Sequence, residues 1–473
     1  MNSRPTAAGP TRGQWTLLVC LFLLSLPAVT PRIYSSDEIQ YVAYLRSLWF
    51  DHDLSFENEY QYFYDRGIAR SEGFHETFLE RTTDTGRRIN FGTIGCAILW
   101  SPFYLVGDAV ARVTGAPVDG LSKPYIAAIA YGSAVYGFLA LGLAILCARR
   151  LGLNGFGAGL AVWLGTPLLF YMYVAPGFSH ACSAFGVALF TYTWLRVRDG
   201  WEIRGVVALA AAGALMAMIR EQDAFFAAGP ALDWILVNAK WQMPNAKERL
   251  VAGLAGCLAF LVVFAPQAAA YFILNGHLGP HASVANKMNW RGPHVLQVLF
   301  SPEHGFFVWT PLALLGLAGL VWLTLPTTPG SVAFAPTSVA SAFRRKRQAG
   351  LCLLIMVALQ IYLGGSVESW TVAGGFGQRR FIALTTALVI GSAWAADALR
   401  ISTRARRLFT ALTVLAVYWN LALIAEFAAG LMDRQRLEPR KNAYDAFVTL
   451  PGMAPSLVYR YLFDRESFYK HGP

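Results

Sequence analysis

Two adjacent carboxylates, Asp37 and Glu38, stand a few residues beyond an apolar run from Trp15 to Val29. Carboxylates exchange protons with hydroxyl groups, so an acidic pair in this place is a candidate for acid–base chemistry. The same residues also read as a helix start, because Ser35 and Ser36 are capping types and acids in a first turn complement the helix dipole. The cationic candidates come as pairs, Arg87-Arg88 and Arg379-Arg380. An arginine at the end of a membrane span can simply reach toward the interface. Arg379-Arg380, however, falls on the side that the positive-inside rule leaves poor in cations. Arg220-Glu221-Gln222-Asp223 makes a compact charged hinge; an internal ion pair is its plain reading and substrate contact the alternative. His52, His75, His180, His281, His294 and His304 are scattered without His-x3-His spacing, and no zinc motif emerges from them.

What positions these groups is set by composition. The chain has 473 residues, 55% hydrophobic and 14% charged, against about 25% charged in a soluble domain. Its mean hydropathy is +0.42. Lipid offers no hydrogen-bond partners, and the apolar runs are long rather than alternating, so helices are predicted in place of a barrel. The formal charge of +11 gathers in clusters such as Arg149-Arg150, Arg344 to Arg347 and Arg404 to Arg407. Each flanks an apolar run, which is an orientation signal and needs no nucleic-acid partner. All six cysteines lie in apolar stretches, which argues against a disulfide framework. The first apolar run reads as an uncleaved helix, because Pro31-Arg32 interrupts the region where a signal peptide would be cut.

Alternating orientation with every basic loop on one side predicts about eleven spans. Among them are runs at 153–174, 203–220, 223–239, 304–325 and 380–398. Counting 92–113 as a span would invert the later loops, so that segment is expected at the outer surface or dipping into it. The result is one long outer loop, 31–123, in which Asp37 to Trp49 reads as an amphipathic helix with Ile39, Val42, Leu45 and Trp49 on one stripe. Residues 1–325 form a first module and 326–349 a basic, flexible linker. Residues 350–429 carry the last helices, and 430–473 form an outer tail.

The combination of Tyr34-Ser35-Ser36-Asp37-Glu38 with several other stretches resembles the membrane glycosyltransferases of the GT-C class, of the protein O-mannosyltransferase and aminoarabinose transferase type. Those stretches are Asn90 to Gly95 with Leu99 to Phe103, Gly165 to Tyr171 with Ser179-His180, Ser301 to Gly305, and Gly374 to Phe381. The resemblance covers about residues 30–400. It implies an all-α GT-C fold whose long outer first loop carries juxtamembrane helices. It also implies a polyprenyl-phosphate sugar donor and a lipid, glycan or protein hydroxyl as acceptor, in a bacterial inner membrane with the active site facing the periplasm.

By that resemblance Asp37 is the general base and Glu38 its support. Arg379, Arg380, Arg87 and Arg88 are candidates for the donor phosphate, and His180, Arg220, Glu303 and His304 for the substrate site. Some such enzymes use a divalent cation, so a metal stays open. Many relatives place a second acid before a proline, where this chain has Ala175-Pro176. P-loop, HExxH and GxSxG motifs are absent. The rivals are a transporter or flippase for a lipid-linked glycan, which predicts broken helices and repeats, and a non-catalytic scaffold.

Overall fold

A computed structural model describes residues 9–69, 71–238, 246–325 and 337–468. Within them the chain is helical, relieved only by two isolated bridges, Thr82–Arg88 and Met288–Val367. Six helices are long and apolar enough to cross a bilayer, and four shorter ones are also apolar. The helices that matter below are α1 (Arg12–Ser25), α2 (Ser36–Arg46), α3 (Glu57–Asp65), α4 (Gly95–Thr114), α5 (Lys123–Arg150), α6 (Phe156–Gly165) and α7 (Leu168–Tyr173). They continue with α8 (His180–Val197), α9 (Ile203–Ile219), α10 (Ala228–Asn238), α11 (Ala246–Asn275), α12 (Leu312–Thr324), α13 (Thr337–Ser366), α14 (Thr385–Ala398), α15 (Thr403–Ala429) and α16 (Leu450–Phe463).

The basic loops gather at one end of the bundle. A Cβ on Gly9, just before α1, would stand 2.6 Å from the Arg149 side chain at the end of α5. Arg198, just beyond α8, donates to the carbonyl of Arg345 on α13 at 3.1 Å. The opposite end carries Asp37 and is called the site end below. Helix α4 pairs antiparallel with α5 through Tyr136–Leu99 (2.8 Å) and Trp100–Ser133 (2.9 Å), and Tyr104 donates to Gly120 O in the loop before α5 (2.7 Å). Its first residue, Gly95, abuts Met218 and Ile219 at the end of α9, and the tip of the hairpin receives Arg46 on Asp119. Both ends of α4 therefore meet site-end elements.

Several expected spans are interrupted. The run 153–174 breaks at Thr166-Pro167, and 304–325 breaks at Thr310-Pro311. Proline removes a ladder hydrogen bond, which accounts for both places. The expected span 223–239 begins as a 3-10 turn over Glu221–Ala227, leaving α10 only 11 residues, about 16 Å of helix against about 30 Å of hydrocarbon. The expected linker 326–349 lies partly outside the described residues. From Thr337 onward it is the start of α13, so the basic run Arg344–Arg347 is helical.

Helix α2 is not the half-exposed helix that its stripe suggests. Ile39, Val42 and Leu45 are buried, but so are Gln40, Ala43 and Tyr44 on its other faces. The reason is that α3, α4 and the turn at Phe74–Leu79 wrap around it in one aromatic-rich cluster. Tyr44 and Tyr60 meet Phe56 at ring distances of 5.0 and 6.0 Å, so these loop aromatics serve packing. The C-terminal segment folds back onto the start of the same loop. Tyr461 of α16 donates to Ala28 O at 2.9 Å and Arg465 to Val29 O at 2.7 Å.

Candidate active site

The acidic pair divides at the first turn of α2, because consecutive helical residues point about 100° apart. Ser35 caps the helix, its hydroxyl accepting from Asp37 N at 3.3 Å. Glu38 Oε2 completes the capping box by accepting from Tyr34 N at 2.9 Å and Ser35 N at 3.0 Å. Glu38 is fully buried, and its Oε1 stands 2.7 Å from where a Cβ on Gly177 would be. Burial pushes its carboxyl up to about 8, against the lowering effect of the amide hydrogen bonds. Asp37 turns the other way. Its side chain is 42% exposed, and Oδ2 accepts from Arg379 Nη2 at 2.9 Å.

Arg379 leaves a glycine-rich loop built to come close. Gly374 and Gly377 have φ of +73° and +59°, in the left-handed region. A Cβ on Gly377 would stand 2.7 Å from Pro167, at the break before α7. The loop is pinned to α7 by the Phe376 amide on the Tyr171 hydroxyl (2.9 Å) and by Phe376 stacked on Phe170 (4.6 Å). From there the Arg379 guanidinium lies over the Phe178 ring at 5.1 Å. Tyr171 and Phe178 were given no role from sequence. The only signal near them was the Gly165–Tyr171 stretch, which contains Tyr171, with Ser179-His180, which follows Phe178; neither says which side chain faces the arginine.

His304 belongs to the support of this loop. It is fully buried, its ring stacks on Trp309, and Nε2 donates to Gly375 O at 3.0 Å. Gln378 adds hydrogen bonds to the carbonyls of His304 and Trp370. His304, a substrate-site candidate from the sequence, is therefore placed as a buried strut of this loop. Glu303 beside it is partly exposed, and its amide is held by Ser301 Oγ at 3.1 Å. Arg380 spends its guanidinium on Ser369, at 2.7 Å to the carbonyl and 3.0 Å to the hydroxyl.

A second layer lies behind Arg379. The buried His180 accepts at Nδ1 from Arg220 Nη1 at 2.9 Å and stacks on Phe178. Arg220 also donates to Gln222 Oε1 at 3.1 Å. The ion pair expected inside the hinge is not formed. Asp223 is bound by Ser183 at 2.5 Å, and Glu221 takes the hydroxyl of Tyr271. The 3-10 turn directs the two acids to different helices, leaving Arg220 to neutral partners. The charges of Arg220, Arg379 and Arg380 all reach His180.

Arg87 and Arg88 are not brought to this place. Arg88 pairs with Glu57 at 2.7 Å and with Glu80 O at 3.1 Å, fastening the turn that precedes Ile89. No contact among the described residues joins either arginine to Asp37 or Arg379. The position of Ala175 is buried, and the neighbouring Gly177 receives the carboxyl of Glu38. Among the described residues no three His, Cys, Asp or Glu side chains come together as metal ligands would. An apolar cavity of about 410 Å³ is lined by Ser25, Leu169, Phe170, Ile424, Leu457 and others, and it meets the arginine loop through Phe170, which stacks on Phe376. Helix α7 thus carries Phe170 toward this cavity and Tyr171 toward the arginine loop.

No protein-family model and no curated protein matches the chain. Among solved structures it is similar to ArnT from Cupriavidus metallidurans in the apo state, with a TM-score of 0.53 and 16% identity over 97% of this chain and 74% of that one. It also aligns with the oligosaccharyltransferase AglB from Archaeoglobus fulgidus, in complex with an inhibitory peptide and a dolichol-phosphate, at a TM-score of 0.42 and 14% identity, covering 98% of this chain and 56% of that one. The first likeness is one of fold, and it places this multi-pass helical chain in the GT-C fold.

Proposed function

We propose that the chain moves a sugar from a polyprenyl-phosphate donor to a hydroxyl of a lipid, glycan or protein, with Asp37 as general base. The observation that carries this reading is the partly exposed Asp37–Arg379 pair at 2.9 Å. It puts a proton acceptor and a phosphate-binding cation side by side at one rim. The acceptor oxygen attacks the anomeric carbon as the bond from that carbon to the phosphate oxygen breaks. The phosphate keeps the electron pair, Asp37 takes the hydroxyl proton, and the anomeric centre inverts. Arg379 faces the developing negative charge of the leaving phosphate, where a guanidinium offers two parallel donors. Arg220, one layer behind, adds positive field, and the neutral His180 that it holds stacks on Phe178 beneath the guanidinium.

The apolar cavity beside α7 suits the prenyl chain, since its lining is almost wholly hydrocarbon and Phe170 adjoins the arginine loop. Among the described residues no cluster of His, Cys, Asp or Glu side chains makes a divalent-cation site. Asp37 is engaged by Arg379, Glu38 is turned into the capping box, and no step is routed through a metal. In this reading the protein sits in a bacterial inner membrane with its site end toward the periplasm. The broken helices are the one feature shared with the flippase reading. Here, though, the breaks adjoin the arginine loop, with Pro167 against Gly377 and Trp309 against Phe376. Comparative mass spectrometry of glycolipids and glycans from parent and deletion strains tests the proposal. A sugar missing only from the deletion strain is expected, and indistinguishable profiles under conditions of expression would sink it.

A further inference from the structure

The basic end of the bundle holds a polar cavity that has no part in the reaction proposed above. It has a volume of about 220 Å³ and lies between the end of α5, the end of α8 and the first turns of α13. Its lining is Arg150, Leu151, Leu195, Arg198, Asp199, Arg345 and Lys346.

The charges around it can be paired off by geometry. Arg198 is locked to the buried Asp233 at 2.8 Å, and that carboxylate also accepts from Trp194 at 3.0 Å and Gln348 at 2.9 Å. Arg345 meets Asp199 at 3.8 Å. Asp397, whose charge reaches Lys346, pairs with Arg400 at 3.3 Å. Two cations are left over, Arg150 and Lys346, with no ion-pair partner among the described residues. Lys346 is partly buried, and its Nζ rests 2.9 Å from where a Cβ on Gly152 would stand, at a φ of +68°. The left-handed turn favours glycine, and the absence of a Cβ there lets the ammonium come close to the backbone.

We propose that this cavity binds a phosphate group at the basic end of the membrane-spanning bundle. Two unpaired cations beside Leu151 and Leu195 concentrate positive potential in a small, partly enclosed space. Lysine binds phosphate as a point charge and arginine through its planar fork. Basic pockets between the ends of spans lie at the depth of lipid headgroups. An anionic lipid headgroup and free phosphate offer the same chemistry, and the experiment separates them.

Full-length protein is placed in nanodiscs of phosphatidylcholine alone or with phosphatidylglycerol, and Tm and retained lipid are read by thermal melting and native mass spectrometry. The same protein in detergent is titrated with inorganic phosphate against chloride at constant ionic strength. Wild type is expected to gain stability from the anionic lipid, and Lys346→Gln to retain that lipid about tenfold less, the scale of one lost charge-assisted contact. If Lys346→Gln does not fold, Arg150→Gln on the opposite wall is read in its place. Arg379→Gln should leave the effect unchanged, which keeps it separate from any donor bound at the site end. Stabilisation by lipid alone assigns a headgroup; stabilisation by phosphate as well assigns the phosphate group itself. Wild type and both cavity variants behaving alike in both arms would overturn the proposal. So would an equal loss from Arg404→Gln, an exposed cation outside the cavity.

Discussion

Arg198 and Arg379 are both mostly buried arginines at helix ends, but they are bound in opposite ways. Arg198 is 8% exposed and faces an Asp233 with no exposure, which takes further donors from Trp194 and Gln348. Nothing there is left to react. Arg379 is 17% exposed and makes one ion-pair contact to an acid that is 42% open. Around it Arg220 and Arg380 rest on neutral groups, His180, Gln222 and Ser369. A closed pair holds helices together. An open one, backed by surplus positive charge, is arranged to accept an anion and release a base.

That contrast can be broken at either end. Asp233→Ala should be the most damaging to the fold, because it leaves a buried guanidinium without its anion; a loss of about 3–5 kcal/mol is expected, read as a fall in Tm. Arg379→Gln should fold normally and lose transfer by about 10²–10³, the scale for removing one charge-stabilising donor, and Arg379→Lys should recover part of it. Glu38 sharpens the comparison within the acidic pair itself. Its folded pKa of about 8 lies above its ordinary value, so its stabilising contribution is complete below about pH 4.5 and is lost as pH rises through 8. Glu38→Gln should flatten the melting profile over that window while transfer persists. Arg88→Gln should do least, about 0.2–1 kcal/mol in stability with transfer unaltered, because its partner Glu57 is largely exposed.

The sequence made the helical, multi-pass architecture legible, because hydrocarbon allows little else to a chain this apolar. It also brought out the basic clusters that meet at one end, and the acidic pair itself. It did not show how that pair divides. Ser35 with Glu38 is a capping-box pattern and Asp37 an ordinary first-turn acid, and only the wrapped α2 and Gly177 show that Glu38 is the inward one. The helix breaks at Pro167 and Pro311 were hidden by hydropathy, which averages through a proline. Arg88 was a further phosphate candidate, weaker than Arg379, and its partner lies 31 positions away in α3, beyond any local pattern. The hinge at Arg220 failed for a similar reason. Neighbouring charges in sequence suggested a pair, and a 3-10 turn sent them to separate helices.

The measurement closest to the centre of the account is complementation of a deletion strain with Asp37→Asn, at membrane levels and Tm matched to wild type. Because Asp37 is the proposed base and its pair with Arg379 is partly exposed, transferred sugar should fall by about 10²–10⁴ while stability stays within about 1 kcal/mol. Product at the wild-type level from a folded Asp37→Asn protein would contradict the assignment of Asp37 as the base.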